Sequence, residues 1–284
     1  MHNLKIGIVG HGYVGKAIDF GFTKNVDKKI IDPNNNTSTL DLKEFNPDVV
    51  FISVPTPMSK DGRIDSSIIL TVLEEIKELN LHALIVIKSS VTPSELKKCK
   101  KMSKNLVYNP EFLTERNANL DFINPDALII GGPEEESNLL KKYYLNHSNC
   151  SDCPIYITDI YTASIVKYTI NVFLATKVLF MNEIYEIFNS SEAAASWEEF
   201  TNILASDSRI GNSHLRVPGI DGKFGFGGAC FPKDIQAFFN FAEGEGVSPE
   251  LIKKVIAANN KIRSQYSDLD AREIEQNISF KTED

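Results

Sequence analysis

The residues best placed to do chemistry surround Cys230, in the segment FGFGGACFPKDI at residues 224–235. Three glycines that let another molecule approach the backbone closely precede this cysteine: Gly225, Gly227 and Gly228. Pro232 favours a helix start directly after it. A thiol at a helix N-terminus, near a cation such as Lys233, is favoured as the thiolate. The pattern therefore predicts a nucleophilic cysteine, although a cysteine is more often a buried small side chain.

Four further side chains have types and spacings that suit work on a carbonyl group. Lys167 and Asn171 are four residues apart in a helical run, so they share a face and could together stabilise a developing oxyanion. Asp234 lies four residues beyond Cys230 and could activate a water molecule. Glu111, in the segment NPEF, is a candidate general acid or base. The alternative for the lysine is a solvated helix side chain, but its apolar neighbours favour a cleft.

A second group of residues predicts a dinucleotide site. Gly10, Gly12 and Gly15 match the pattern G-x-G-x-x-G, directly after the apolar run Leu4–Val9 and at the start of a helical stretch. These glycines allow a tight turn, close approach of a pyrophosphate and close packing of the helix. Asp32 ends the second predicted strand, where a carboxylate binds ribose hydroxyls and repels a 2′-phosphate. The sequence therefore predicts NAD as the cofactor in preference to NADP.

The elements that position these groups follow from apolar periodicity. Seven short apolar runs predict strands, at Leu4–Val9, Lys29–Asp32, Val49–Val54, Leu84–Lys88, Leu106–Tyr108, Leu128–Ile130 and Ile155–Ile157. Helical stretches lie between them, which is typical of a parallel sheet with crossover helices. From Thr158 the pattern becomes helical, with a long run to Phe188 that lacks glycine and proline and shorter helices at Trp197–Ala205, Lys233–Ala242 and Pro249–Ser264. The polar tail from Asp268 to Asp284 is expected to be frayed.

The predicted class is therefore α/β. A Rossmann-like doubly wound parallel sheet is expected over residues 1–157, with the dinucleotide site. An all-helical domain with a long central helix is expected over residues 158–284, with the cysteine.

Composition narrows the class of function. The 284 residues carry a formal net charge of −8, which argues against a nucleic-acid-binding surface. The sequence offers no window that reads as a membrane span and no cleavable signal pattern at its start, so we expect no membrane partner and a cytoplasmic location. The four cysteines do not form a disulfide scaffold, and the pair Cys150 and Cys153 has no second ligand pair, so no metal site is predicted.

The chain resembles the UDP-glucose/GDP-mannose dehydrogenase family. The resemblance runs from residue 4 to about residue 265 in separate blocks, which are GIVGHGYVG, VPTP at 54–57, IKSSVTP at 87–93, NPEFLTE at 109–115, VKYTINVFLATK at 166–177, RIG at 209–211 and GFGGACFPKD at 225–234. The resemblance implies a four-electron oxidation of the C6 alcohol of UDP-glucose to UDP-glucuronate, with NAD and without metal. Cys230 would carry the aldehyde as a thiohemiacetal and then as a thioester.

The resemblance also assigns residues that the patterns alone do not. Cofactor contacts are implied for Tyr13, Val14, Thr56, Ser90 and Glu115, with Ser90 also near the catalytic water. Sugar-nucleotide contacts are implied for Glu111, Phe112, Leu113, Lys167, Asn171, Arg209 and Gly227, and for His214, which could stack on the uracil. A homodimer built on the long central helix is implied as well.

The sequence departs from the family pattern at several points. Ser90 replaces a threonine, Ser164 replaces a glutamate that precedes the catalytic lysine, and the segment VPGIDGK at residues 217–223 lengthens the loop before the cysteine. The family's C-terminal nucleotide-binding domain is not in this sequence. The expectation of UDP-glucose therefore stands beside two alternatives, which are the same chemistry on GDP-mannose or a UDP-N-acetylhexosamine, and a non-catalytic regulatory protein that binds NAD.

Overall fold

The computed structural model describes residues 3–281, which form two compact units. Of the described residues, the first unit comprises 3–57 and 64–167, and the second comprises 58–63 and 168–281. The domain boundary predicted between residues 157 and 158 stays a prediction, since compact units are not the same as folding domains.

The first unit is built on a seven-stranded sheet. Its strands are β1 (Leu4–Val9), β2 (Val26–Ile31), β3 (Val49–Ile52), β4 (Leu84–Ile87), β5 (Leu106–Tyr108), β6 (Leu128–Gly131) and β7 (Ile155–Thr158), in the spatial order β2-β1-β3-β4-β5-β6-β7. Each overlaps a predicted strand, although β2 begins three residues before the predicted Lys29 and ends before Asp32, so the α/β class is confirmed. The sheet departs from the predicted all-parallel arrangement at one place, because β5 and β6 pair antiparallel through Tyr108 and Gly131.

Helices cover both faces of this sheet. They are α1 (Tyr13–Gly21), α2 (Asp41–Phe45), α3 (Ser67–Glu78), α4 (Pro93–Lys100), α5 (Ala118–Ile123), α6 (Glu134–His147) and the start of α7 (Ile160–Ser190). Alternate residues of β3 show why the strands are continuously apolar. Val49 and Phe51 pack into one core cluster, and Val50 and Ile52 pack into the other.

Over the described residues of the second unit, the regular elements are all helices, joined by irregular segments. The unit contains most of α7, followed by α8 (Trp197–Ala205), α9 (Phe231–Gly244), α10 (Glu250–Arg263) and α11 (Ala271–Glu275). Its core joins α7 to α9 and α10 through Val172, Leu179, Ile235 and Val255. The Ser196 side chain accepts from the Glu199 amide in a capping box, which fixes the start of α8.

The tail after Asp268 is ordered over its described part, so the expectation of a frayed tail is wrong there. Asp270 and Glu273 form a capping box that starts α11. Glu273, Gln276 and Ile278 are all buried. Periodicity missed this helix because its buried face is made largely of polar side chains that bind other polar groups. Residues 282–284 lie outside the described residues.

One helix contradicts the expectation that no segment is long and apolar enough to cross a membrane. Helix α7 has 31 residues and passes that test by length and composition, with 44% of its most apolar window buried inside the protein. The core helices of soluble proteins pass the same test, so the finding is weak evidence for a membrane. The expectation failed because scattered polar residues such as Lys167 and Asn171 hid the overall apolar character of the helix.

Candidate active site

The glycine loop between β1 and α1 has the shape of a phosphate cradle. Gly10 has a φ of +88°, and a Cβ there would lie 2.7 Å from the Ser53 carbonyl oxygen. A Cβ at Gly15 would lie only 2.0 Å from the Gly10 carbonyl oxygen, so the helix start packs directly on the loop. Gly12 precedes α1, and a Cβ there would meet open space. The loop therefore leaves room at the helix N-terminus where an anion is stabilised.

Asp32 lies directly after β2 and contacts this loop. Its Oδ2 accepts a hydrogen bond of 2.7 Å from the His11 amide, and its Oδ1 accepts one of 2.9 Å from the Asn34 amide. Burial opposes ionisation of the carboxyl group, but the hydrogen bonds from His11 and Asn34, together with the charge of His11, outweigh it and lower the pKa of Asp32. The carboxylate is therefore charged, as a partner for ribose hydroxyls requires, and it also orients the glycine loop.

The other residues expected to contact the cofactor differ in accessibility. Val14 is buried in the core, so only its backbone could reach a ligand, whereas Tyr13 and Ser90 are half-buried. Thr56 is buried after the end of β3, and Glu115 is exposed in a short 3₁₀ turn. Their cofactor roles stay predictions.

Glu111 and Lys167 are brought together in the first unit. The Lys167 ammonium donates to the Glu111 main-chain oxygen at 2.6 Å and to its Oε1 at 3.3 Å. The Glu111 Oε2 accepts from the Leu113 amide at 2.7 Å, and the ammonium lies 5.1 Å from the centre of the Phe112 ring. Both charged side chains are about 95% buried or more. The structure thus pairs two residues that the sequence suggested separately.

Two polar groups near this pair have partners that the patterns did not reveal. Ser164 donates to the Val91 carbonyl oxygen at 2.7 Å. The buried Lys88 ammonium donates to Asn109 Oδ1 at 3.0 Å and to the Tyr144 hydroxyl at 3.4 Å. Burial lowers the pKa of Lys88 from 10.5 to about 8, with Glu111 acting against this effect. A single lysine after an apolar run gave no signal of such a network.

A second buried polar cluster surrounds Asp234 in the second unit. Asn171 Nδ2 donates to Asp234 Oδ2 at 2.6 Å, and the Lys233 ammonium donates to Asp234 Oδ1 at 2.7 Å. All three side chains are buried, with Asp234 only 1% exposed. The sequence pointed to Asn171 and Asp234, but it suggested Lys233 only as a neighbour of the thiol. The structure instead makes Lys233 the counter-ion of Asp234.

Cys230 is the residue that precedes α9, as the sequence predicted. It is half-buried and forms no disulfide bond. The Asp234 amide donates to the Cys230 carbonyl oxygen at 2.8 Å, which closes the first turn of α9. The thiol and the Asp234 cluster therefore belong to the first turn of the same helix, and the thiol lies at its positive end.

Residues 224–229, which we call the approach segment, lead into Cys230 and are held by side chains that the sequence did not single out. Asn182 Oδ1 accepts from the Gly225 amide at 2.9 Å. Asn259 accepts from the Phe226 amide at 2.7 Å and donates to the Phe226 carbonyl oxygen at 3.0 Å. A signal for Asn259 was available, because it interrupts the apolar face of α10.

The residues expected to line the sugar-nucleotide pocket of the second unit lie in different environments. Arg209 is 87% exposed and binds Asp207 through two nitrogens. His214 has a φ of +61°, its ring centre lies 5.4 Å from that of Phe231, and its Nδ1 is buried without a hydrogen-bond partner. Burial, aided by the charge of Lys177, lowers the pKa of His214. Their substrate contacts stay predictions.

The remaining cysteines do not suggest a second chemical site. Cys99, Cys150 and Cys153 form no disulfide bond, and burial raises the pKa of all three. Among residues 3–281, no group of three or more histidine, cysteine and acidic side chains is arranged to hold a metal ion.

Two sequence models of one family match the chain. Residues 24–147 match the NAD binding domain of the UDP-glucose/GDP-mannose dehydrogenase family, and residues 161–261 match its central domain. The glycine loop lies just before the first matched range. The two ranges together cover most of the chain, and the first of them confirms the predicted cofactor, NAD.

Individual relatives agree with these matches. A UDP-glucose 6-dehydrogenase of Rickettsia bellii is 34% identical over 244 residues, which are 83% of this chain and 54% of the relative. The chain thus spans about half the length of such relatives. Among solved structures, a UDP-glucose dehydrogenase of Pyrobaculum islandicum has a TM-score of 0.74 at 26% identity, covering 92% of this chain and 68% of its own. A GDP-mannose dehydrogenase of Pseudomonas aeruginosa has a TM-score of 0.61 at 26% identity, with coverages of 92% and 69%.

Proposed function

Because this chain belongs to the UDP-glucose/GDP-mannose dehydrogenase family, we propose that it oxidises the C6 alcohol of UDP-glucose to the carboxylate of UDP-glucuronate, with NAD as the hydride acceptor. The observation that carries the proposal is the first turn of α9, where a half-buried thiol precedes a buried carboxylate. That carboxylate is held by Asn171 and Lys233. A module that only binds NAD has no use for this arrangement.

The glycine loop fits the cofactor. Gly12 offers open space at the N-terminus of α1, and Asp32 offers a charged carboxylate beside the loop. When NAD is bound there, it supplies the acceptor for each of the two hydrides that leave the sugar carbon.

The first oxidation converts the alcohol to an aldehyde. The alcohol loses a hydride from carbon and a proton from oxygen, so a base and a cation near the reacting oxygen both contribute. We assign the cation to Lys167, whose ammonium would stabilise the oxygen as it gains negative charge. Its hydrogen bonds to Glu111 fix the position of the ammonium. We assign to the Glu111 carboxylate the part of general acid or base, in this step and in the hydrolysis.

The second oxidation passes through Cys230. The thiolate sulfur forms a bond to the aldehyde carbon, and the carbonyl oxygen takes up a proton to give a thiohemiacetal. Loss of a hydride from carbon and of that proton from oxygen gives a thioester. Water then attacks the carbonyl carbon, the carbon–sulfur bond breaks, and the carboxylate leaves with the thiol restored. Asp234 would accept the proton from the attacking water, and Asn171 would orient it.

Fewer residues support the choice of UDP-glucose as the substrate than support the oxidation chemistry. The matched UDP-glucose 6-dehydrogenases favour UDP-glucose, and the similar GDP-mannose dehydrogenase structure keeps GDP-mannose as the second candidate. His214 is half-buried with its ring centre 5.4 Å from that of Phe231, and we assign to this ring the stacking on a planar base.

The test of the proposal counts NADH. The protein is incubated with NAD and with UDP-glucose, GDP-mannose or a UDP-N-acetylhexosamine, and NADH formed is compared with sugar consumed. Two NADH for each UDP-glucose consumed, with UDP-glucuronate as the product, is the expected result. NAD binding without NADH from any of the sugars would instead support the regulatory alternative.

We also propose that the chain forms a homodimer through α7. Phe173, Phe180 and Ile187 are spaced by seven residues and are 57–64% exposed, so they form an unpaired apolar seam along the helix. Sedimentation velocity should show a dimer, and Phe180→Glu should dissociate it into monomers. A monomeric wild-type protein would contradict the proposal, and association only with lipid vesicles would assign the seam to a membrane.

A further inference from the structure

The approach segment is tied to the C-terminal tail through a single carboxylate. Glu273 Oε1 accepts from the Gly228 amide at 2.9 Å and from the Arg263 guanidinium at 3.1 Å. Its Oε2 accepts from the Asp270 amide at 2.9 Å, which closes the capping box of α11. Glu273 is only 1% exposed, so both carboxylate oxygens are used inside the protein.

Arg263 is the counter-ion of this buried carboxylate and lowers the free-energy cost of its burial. The guanidinium is 2% exposed and binds Asp221 at 2.7 Å as well as Glu273. It also lies 5.4 Å from the centre of the Phe280 ring and 5.9 Å from that of Tyr266. Burial of two charges costs little stability only when both are paired and hydrogen-bonded, as Glu273 and Arg263 are.

The guanidinium also limits which residues the approach segment can contain. A Cβ at Gly227 would lie 1.7 Å from Arg263 Nη2, so no side chain fits there while the arginine is in place. Gly228 has a φ of +78°, which favours glycine, and its amide is the one that Glu273 binds. Glycine is therefore required at 227 for lack of space and favoured at 228 by the backbone conformation.

We infer that Glu273 and Arg263 are positioning residues for Cys230. Gly228 lies two residues before the cysteine, so a fixed Gly228 amide sets the backbone from which the thiol projects at the start of α9. The inference rests on the proposed use of Cys230 as the nucleophile. It assigns to the tail a part in the reaction although no tail residue is expected to touch the sugar or the cofactor.

The test uses the full chain with three substitutions on α11. Glu273→Ala removes the acceptor, and Glu273→Gln keeps a carbonyl oxygen that can still accept from Gly228. Glu275→Gln is the matched control, because Glu275 lies on the same helix but is exposed and paired with Arg272 at the surface. The pH dependence of Cys230 alkylation by iodoacetamide is followed by peptide mass spectrometry, with Cys150 as the internal reference. Turnover of UDP-glucose and the Kd for NAD are measured beside it.

We expect the effect on Cys230 to be absent in the control, intermediate in Glu273→Gln and largest in Glu273→Ala. The midpoint pH of Cys230 alkylation should rise by about one unit in Glu273→Ala, as the thiolate loses its place at the helix start. Turnover should fall about a hundredfold while the Kd for NAD is unchanged. In Glu273→Gln the rise in midpoint pH and the fall in turnover should both be smaller than in Glu273→Ala.

Equal alkylation profiles in all three variants would overturn the inference. If Glu273→Ala does not fold, the comparison of Glu273→Gln with Glu275→Gln decides. If the wild-type protein oxidises no sugar, the proposed function fails, but the alkylation profiles still decide whether Glu273 positions the thiol.

Discussion

Asn171 donates a hydrogen bond of 2.6 Å to Asp234, a residue 63 positions further along the chain. The contact joins α7 to the first turn of α9 and fixes the carboxylate that follows Cys230. Lys233 completes the cluster from the adjacent position, so Asp234 is held by an amide on one oxygen and by an ammonium on the other.

Replacing Asp234 tests whether this cluster acts on water. Asp234→Asn should lower kcat for UDP-glucuronate formation by at least about a hundredfold, because the base is lost. The variant should also be less stable by about 3 kcal/mol, since Lys233 is left buried without a counter-ion. The rate of UDP-glucuronate formation in quenched reactions measures the first effect, and urea denaturation measures the second. Glu245→Gln, at the exposed end of the same helix, is the control; a kcat equal to that of the control would remove Asp234 from the mechanism.

Cys230→Ser separates the covalent step from the rest. The variant should lose complete oxidation, because a serine hydroxyl is a far weaker nucleophile at neutral pH, while its Kd for NAD stays that of the wild type. NADH yield and isothermal titration with NAD are the measurements. Cys150→Ser serves as the control, since its thiol is neutral and lies in the first unit. Full UDP-glucuronate formation by the Cys230 variant would rule out the thioester.

Two glycines of the dinucleotide loop should respond differently to the same added methyl group. At Gly12 a Cβ meets open space, so Gly12→Ala should fold normally and bind NAD about tenfold more weakly or worse. At Gly15 a Cβ would lie 2.0 Å from the Gly10 carbonyl oxygen, so Gly15→Ala should lose about 1–3 kcal/mol of stability. Thermal unfolding and NAD titration distinguish them. An unchanged NAD affinity in Gly12→Ala would mean that the cofactor lies elsewhere.

Lys88 should make the stability of the protein depend on pH. Its pKa is about 8 in the folded protein against 10.5 for the free side chain. Between these values the unfolded chain binds the extra proton, so the contribution of Lys88 to stability rises with pH across this window. Lys88→Met should therefore stabilise the protein by an amount, on the order of 3 kcal/mol, that is largest below pH 8 and shrinks towards pH 10.5. Tyr144 and Asn109 would remain bonded to each other at 2.7 Å.

Urea denaturation at pH 7 and at pH 10 measures this difference. Lys97→Met, at an exposed position of α4, should show little change at either pH. Parallel pH profiles for wild type and Lys88→Met would contradict the depressed pKa of Lys88.

The sheet and the dinucleotide loop were predictable because short-range sequence patterns indicate both of them. Each buried strand is a run of apolar residues between turn signals, and Gly10, Gly12 and Gly15 have meaning at fixed spacing after β1. The single antiparallel pair of β5 and β6 has no such signal, because apolar runs carry no information on direction.

The site was predictable where its residues carry distinctive types, and it was not where their partners are distant. Cys230, Asp234 and Lys167 stand out by type and spacing. The pairing of Lys233 with Asp234 was not expected, since adjacent helical residues do not ordinarily face each other. Glu273 could not be found at all, because it lies in a polar tail and its contact with Gly228 spans 45 residues.

The capping box of α11 and the grip on Gly228 use the two oxygens of one carboxylate. A helix of five residues does not persist in water by itself, so α11 depends on its tertiary contacts, and we expect its order to be coupled to that of the Gly228 backbone that Glu273 binds. Amide hydrogen exchange makes that dependence visible. The Gly228 proton and the first amides of α11 should exchange at a common rate, as one opening event. Protection of the α11 amides from exchange would then report whether the backbone before Cys230, more than 40 residues upstream, is ordered.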